Sequence, residues 1–242
     1  MITELSLFFL LFLSLETGIE FWLAARQKAA IRTHQHTVPT TFIGTISQRD
    51  HQITAAYALT KTDFRQKRLI IGALILLLWT IGGLLNIIDQ AWRSLEWSEF
   101  WTGIAVLVSF GLLSTLMDLP LKIYDTFRIE AQFGFNRIPL RLFISDFLKW
   151  LLVGLIIGIP FVALALWLIE YTKEFWWLYV WVVWMGINLL MRWAYPVFIA
   201  PLFNQFQPLK NEELKKGIEA LLQRNGFSSQ GIFVMDGTYW KC

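Results

Sequence analysis

The sequence predicts an all-α membrane protein with about five transmembrane helices, followed by the start of a soluble α/β domain that contributes one helix and one strand. Three observations predict this class. Apolar residues make up 56% of the chain and charged residues only 16%, whereas soluble domains average about 45–50% and about 25%. The apolar residues gather in blocks of about twenty, the length that crosses a hydrocarbon core. The charged residues concentrate in the connections between those blocks.

The predicted spans have approximate bounds at residues 2–25, 69–88, 100–119, 147–169 and 175–199. The first block begins with Glu4 and lacks the basic start of a signal peptide, so we interpret it as a retained helix. Glu16 and Glu20 lie one turn apart on it. Carboxylates inside a span usually face the bundle interior or a water-filled cavity. A carboxylate near a span end can instead approach the headgroups, and both interpretations stay open here.

The first connection, residues 26–68, holds all three histidines, and from about Ile53 it predicts a helix that runs into the second span. His34 and His36 form a His-x-His pair, but no third ligand stands at a fixed spacing from them. We therefore interpret these two residues and His51 as solvated or headgroup-facing side chains. The single cysteine, Cys242, excludes an internal disulfide and a metal site made of cysteines alone.

The distribution of charge predicts the orientation in the membrane. The first and third connections are basic, whereas the second and fourth are short and lean acidic. The positive-inside rule therefore places the first and third connections and the C-terminal tail in the cytoplasm, with the N-terminus outside. The basic residues form no separate basic domain, so the net charge of +3 indicates membrane topology and no nucleic-acid partner. We expect an integral protein of the cell (inner) membrane, or of the endoplasmic reticulum in a eukaryote.

The chain divides into a membrane domain, residues 1–200, and the truncated start of a soluble domain, residues 201–242. Asn211 is a predicted helix N-cap, and Asn225 with Gly226 predicts the end of that helix. Its apolar stripe has helical spacing and consists of Leu214, Ile218, Leu221 and Leu222. Residues 231–235 predict a buried strand, and Asp236-Gly237 a turn. One helix and one strand cannot bury a core of their own.

The most specific pattern lies in residues 120–137, a stretch too polar to cross a bilayer and too aromatic for an idle linker. There the sequence reads Tyr-x-x-Phe-x-Ile-Glu-x-x-Phe-Gly-Phe-Asn, and Pro-Leu-Phe-Asn follows the fifth span. Both patterns resemble the integral-membrane zinc metalloproteases called CAAX prenyl protease 1. The residues that carry the resemblance, with a structural role implied for them, are Tyr124, Phe127, Ile129, Glu130, Phe133, Gly134, Phe135, Asn136, Pro201 and Asn204.

The resemblance implies that Glu130 and Asn136 brace the cytoplasmic face near a zinc domain, while Phe133 and Phe135 pack beneath it. The alternative from the residues alone is a cytoplasmic loop whose aromatic residues anchor at the interface. Glu130 can also neutralise Arg128 or Arg137. Near two span ends, Asp118 and Arg192 are candidates for an ion pair.

Zinc chemistry in that family depends on a His-Glu-x-x-His helix, in which two imidazoles hold the metal and the Glu activates water. No His-Glu pair occurs in this sequence, and no histidine follows His51. We therefore expect no catalytic residue and no zinc ligand in this chain, although zinc is the cofactor of the full-length family. The family's pattern stops after Gly237, so we expect a truncated or frame-disrupted member.

The resulting hypothesis is the N-terminal transmembrane domain of a CAAX-prenyl-protease-like zinc metalloendopeptidase, inactive as a truncated chain. Its expected partners are the lipid bilayer and, through a catalytic domain missing here, prenylated or membrane-protein substrates. The alternative is a non-enzymatic membrane module that binds lipid or a separate catalytic partner. A small transporter is disfavoured because the spans show no internal repeat.

Overall fold

The computed structural model describes residues 4–39, 42–172, 174–203, 206–227, 229 and 231–235, and most of these residues are helical. Within them the α-helices are α1 (Glu4–His34), α2 (Gln48–Trp79), α3 (Leu84–Arg93), α4 (Glu99–Tyr124), α5 (Leu140–Thr172), α6 (Trp176–Ala194), α7 (Ala200–Phe203) and α8 (Glu212–Arg224). A first π-helix, Asp125–Glu130, follows α4, and a second, Tyr195–Ile199, follows α6. Strands β1 (Phe206–Pro208) and β2 (Phe233–Met235) flank α8.

Among the described residues, four helical segments are long and apolar enough to cross a bilayer: Glu4–His34, Glu99–Glu130, Leu140–Thr172 and Trp176–Phe203. The bent pair of α2 and α3 makes a fifth candidate span. Large apolar side chains on these helices face outward, with Phe12 64% exposed and Ile156 63% exposed. Such surface is expected where lipid replaces water as the solvent. The predicted class, an all-α membrane protein with about five spans, is confirmed.

The second predicted span is broken rather than continuous. α2 ends at Trp79, α3 begins at Leu84, and the two helices are bent by 42°. Gly82 and Gly83 explain the break. Gly83 adopts φ +74°, a conformation that glycine accepts without steric cost. A Cβ on Gly82 would lie 2.7 Å from the carbonyl oxygen of Leu78, so a side chain would not fit there without a shift.

The first compact unit, Met1–Asn136, contains α1 to α4 and the first π-helix. Lys28 on α1 donates to Asp63 (2.8 Å) and to Gln66 (2.6 Å) on α2. α2 begins at Gln48, about five residues before the predicted start, because Ser47 caps it by accepting from the Asp50 amide. Both helices therefore extend beyond the apolar blocks that predicted them.

Further along the first unit, α2 and α3 contact α4. Arg68 donates to both carboxylate oxygens of Asp118 (2.9 and 2.8 Å), so this carboxylate already has a partner other than the predicted Arg192. Trp92 donates to the Ser109 hydroxyl at 2.9 Å. These contacts join α2 and α3 to α4 within the unit.

The second compact unit, Arg137–Cys242, contains α5 to α8 and both strands. The predicted cap of α8 is confirmed, because the Asn211 side chain accepts from the amides of Glu213 and Leu214. The sequence analysis missed β1, which pairs antiparallel with β2. The expected burial of β2 is wrong, because Phe233 is 61% exposed. Asp236-Gly237 lies outside the described residues. The division at residue 200 into membrane and soluble domains stays a prediction.

Replacing Asn211 by Ala should destabilise α8 by about 1 kcal/mol, because two amides of its first turn lose their acceptor. The matched variant Asn211→Asp keeps a cap acceptor and should behave as the parent chain. Amide hydrogen exchange over residues 213–216 measures the difference. Equal protection in the two variants would show that the cap contributes nothing to α8.

Candidate functional site

The motif that begins at Tyr124 folds into an irregular end of the third span. α4 ends at Tyr124 and passes directly into the first π-helix, Asp125–Glu130. π-Helical turns are rare and often occur at functional sites. Within this turn Ile129 is only 3% exposed, and Phe127 is half-buried. The motif therefore adopts a specific backbone shape at the end of a span.

A lysine from α2 holds this turn. The Lys61 ammonium donates to both carboxylate oxygens of Asp125, at 2.7 and 2.8 Å, and lies 3.6 Å from a carboxylate oxygen of Glu130. The three side chains are 24–32% exposed, so they are partly withdrawn from water. Glu130 thus pairs with Lys61, and not with the suggested Arg128 or Arg137, among the ion pairs of the described residues.

Aromatic contacts extend the same interface. Tyr57 meets Phe133 edge-on with ring centroids 5.2 Å apart, and meets Phe135 at 4.8 Å. Phe64, which is 8% exposed, stacks on Tyr124 at 5.5 Å. Edge-to-face and offset pairs of this kind are favourable beyond their buried area.

The three α2 residues of this interface share one helix face. Tyr57, Lys61 and Phe64 stand at positions i, i+4 and i+7, which bring side chains to the same stripe. This stripe contacts the motif from Tyr124 to Phe135. We refer to Tyr57, Lys61 and Phe64 as the α2 clamp.

A glycine turn completes the motif. Gly134 has φ +72°, and the amides of Phe135 and Asn136 donate to the Glu130 carbonyl at 2.9 and 3.2 Å. These bonds satisfy a carbonyl at the helix end, as left-handed glycine caps do. The turn directs Phe135 back onto Tyr57.

The second motif, at the end of the fifth span, is held in a comparable way. The second π-helix leads into α7, where the Leu202 carbonyl accepts from the Lys149 ammonium at 3.1 Å. Phe203 stacks on Trp150 at 4.6 Å and is 9% exposed. Pro201 is exposed. Asn204 lies outside the described residues.

The sequence analysis missed the roles of Lys61 and Lys149. Lys61 follows Tyr57 by one helical turn, a spacing that places both on one face. Nothing local, however, identifies a partner 64 residues away. Lys149 likewise lies 53 residues before Leu202, whose carbonyl accepts its hydrogen bond.

The described residues do not form a zinc site. Within the described residues, no group of three His, Cys, Asp or Glu side chains could hold a metal ion. His51 contacts the His34 carbonyl at 3.0 Å through Nε2, and His34 contacts the Ala30 carbonyl at 2.8 Å through Nδ1. The His51 ring therefore links α2 to the last residue of α1, and the His34 ring contacts a carbonyl within the last turns of α1.

Comparison with known proteins identifies one family. The family described as "CAAX prenyl protease N-terminal, five membrane helices" matches residues 27–205. The CAAX prenyl protease 1 homolog of Arabidopsis thaliana is 30% identical over 229 residues, covering 90% of this chain and 53% of its own. The Oryza sativa homolog is 30% identical over 239 residues, covering 95% and 55%. CAAX prenyl protease 1 of Saccharomyces cerevisiae is 43% identical over 127 residues, covering 52% and 28%.

A solved structure has the same fold. The crystal structure of S. mikatae Ste24p superimposes with a TM-score of 0.85 at 29% identity, covering 94% of this chain and 54% of that one. The chain thus spans about half the length of the plant relatives and of the solved structure.

Lys61→Met should destabilise the first unit by about 1–2 kcal/mol, because two half-buried carboxylates lose their cation. Arg65→Met is the control, since Arg65 is exposed and, among the residues that the structure describes, its side chain donates to Gln27 alone, at 3.3 Å. Thermal unfolding in detergent, followed by tryptophan fluorescence, compares the variants. The double variant Lys61→Met/Asp125→Asn should lose less than the sum of the single losses. Equal losses for Lys61→Met and Arg65→Met would contradict this role.

Proposed function

The chain belongs to the CAAX prenyl protease family, and from that premise we propose that it forms the membrane-embedded part of a zinc metalloendopeptidase. In this role the spans hold a substrate at the membrane, and the ends of the spans position a soluble peptidase lobe. Residues 201–242 would begin that lobe, and peptide hydrolysis would occur at a His-Glu-x-x-His motif that these 242 residues do not contain.

One observation carries the proposal. The motif that relates the chain to this family is also the segment held by the α2 clamp. Lys61 fixes its acidic residues, and Tyr57 fixes Phe133 and Phe135. A surface that is already ordered in this way loses little conformational entropy when a second domain docks on it, so docking costs less free energy. In the proposed function Glu130 and Asn136 brace the docking face, and the two phenylalanines support it from beneath.

We propose that the metal and the substrates are reached through the peptidase lobe. The family's members are zinc enzymes, and the relatives are named as CAAX prenyl proteases. In such an assembly zinc would activate water for peptide hydrolysis. The substrates would be prenylated or membrane proteins. The present chain would contribute the bilayer-spanning scaffold and the docking face.

The proposed orientation places the N-terminus outside and the first and third connections in the cytoplasm, because those connections are basic. The α2 clamp and the motif lie in this basic region of the chain. The proposed location is the endoplasmic reticulum in a eukaryotic cell, or the cell (inner) membrane otherwise.

A second candidate is a membrane module without its own activity that binds lipid or a separate catalytic chain. Exposed apolar side chains on the last described elements favour a protein partner, with Leu221 61%, Phe227 67% and Phe233 61% exposed. A peptidase lobe could cover this surface whether it belongs to the same polypeptide or to another.

Purified residues 1–242 should contain no stoichiometric zinc and should not cleave a prenylated CAAX peptide, because no His-Glu-x-x-His motif is present. The Saccharomyces cerevisiae relative, prepared in parallel, is the positive control. Stoichiometric zinc together with cleavage would overturn the proposal that chemistry resides elsewhere. Co-purification of a catalytic chain from cells would favour the second candidate.

A reporter fused after Asn136 should be cytoplasmic, and one fused after Trp97 should be outside, because the positive charge of the first and third connections sets the topology. Accessibility to a membrane-impermeant reagent measures both fusions. The reverse result would place the motif on the wrong side for a cytoplasmic peptidase lobe.

A further inference from the structure

A groove of about 400 Å³ lies beside the α2 clamp in the first unit. Arg49, Gln52, Ile53 and Ala56 line one wall, and Gln132 and Phe133 line the other. The first four stand at positions i, i+3, i+4 and i+7 of α2, so they form a single stripe along the helix.

Contacts of the neighbouring α2 clamp residues hold the two walls of the groove together. Tyr57, next to Ala56 on α2, holds the Phe133 ring at 5.2 Å, and Lys61 holds the π-helix that precedes Gln132. The groove therefore exists before any ligand arrives.

The groove is lined by one cation, two carboxamides and apolar side chains, a combination that suits a ligand segment with a negative charge and an apolar side chain. Arg49 is exposed, and among the described residues it has no hydrogen-bond or ion-pair partner. The lining contains no carboxylate, and besides Arg49 its polar side chains are the carboxamides of Gln52 and Gln132. Ile53, 41% exposed, and the half-buried Phe133 supply an apolar floor.

The position of Arg49 strengthens the preference for an anion. It lies in the first turn of α2, where the helix dipole disfavours a cation and favours a negative charge. The neighbouring Asp50 accepts a 2.6 Å hydrogen bond from the Ser47 hydroxyl and serves the cap. A carboxylate from a partner would compensate Arg49 directly.

We propose that this groove docks an acidic amphipathic segment of the soluble peptidase lobe, with a carboxylate on Arg49 and an apolar side chain between Ile53 and Phe133. The identity of the partner rests on the proposed function. The type of ligand rests on the groove alone. Relatives about twice as long as this chain supply the additional protein that such docking requires.

The test measures binding of two fluorescent synthetic helical peptides to residues 1–242 in phosphatidylcholine nanodiscs. One peptide carries Glu one turn from Leu, and the other carries Lys in place of Glu. The parent chain should bind the Glu peptide about tenfold more tightly, the value of one charge-assisted hydrogen bond. Arg49→Glu should lose that tenfold and reverse the preference.

Thr54→Glu is the matched control, because Thr54 is exposed on the same turns of α2 but outside the groove. It adds one negative charge without touching the lining. Ile53→Gln should weaken both peptides about equally. Equal affinity of the parent and Arg49→Glu for the Glu peptide would overturn the proposal. Arg49→Glu changes the net charge by two units and Thr54→Glu by one. A free-energy effect of Arg49→Glu no more than twice that of Thr54→Glu would therefore reduce the result to net charge and also overturn the proposal.

Two further outcomes assign the groove to another occupant and count against the proposal. Nanodiscs containing phosphatidylserine would block the Glu peptide in the parent chain if the groove holds a lipid headgroup. Self-association lost in Arg49→Glu would identify a second copy as the occupant. Since these assays use no zinc and no peptidase activity, a failure of the proposed function leaves their outcome unchanged.

Discussion

The half-buried pairing of Lys61 with Asp125 and Glu130 is the interaction on which the site depends. A π-helical turn is seldom stable by itself, so its shape requires outside support. One ammonium group provides it by reaching both ends of the turn, Asp125 and Glu130. The aromatic contacts of Tyr57 and Phe64 join the same two segments, and the charged side chains are only 24–32% exposed. Partial exclusion of water strengthens the remaining electrostatic attraction, because the local dielectric falls.

The membrane environment explains why side-chain contacts of this kind cover the irregular turns at the ends of two spans. Within a bilayer the backbone must satisfy its own hydrogen bonds, and irregular turns are tolerated where protein covers them. Each unit meets this condition in its own way. In the first, Lys61 and its aromatic neighbours cover the π-helix that ends the third span. In the second, Lys149 and Trp150 bind the short helix α7 that follows the other π-helix.

The sequence predicted what depends on composition and local pattern. Apolar blocks predicted about five spans, and Asn211 predicted the cap of α8. It failed where distant residues decide the structure. Polar residues continue α1 to His34, and hydropathy does not detect such an extension. The Lys61–Asp125 pair joins segments 64 residues apart. The short β1, with Pro208 at its end, has too little pattern to predict a strand.

Ion pairs within the first unit determine which of its charged side chains remain without a charged partner. Asp63 is paired with Lys28, Asp118 with Arg68, and both acids of the π-helix with Lys61. The cations without such partners in the described part of the first unit include Arg32, Arg49 and Lys67. These remaining cations carry the positive charge of the surface, and an excess of positive charge attracts acidic partners from a distance. In the docking proposed above, Arg49 would be the positive charge that an acidic partner meets at the groove.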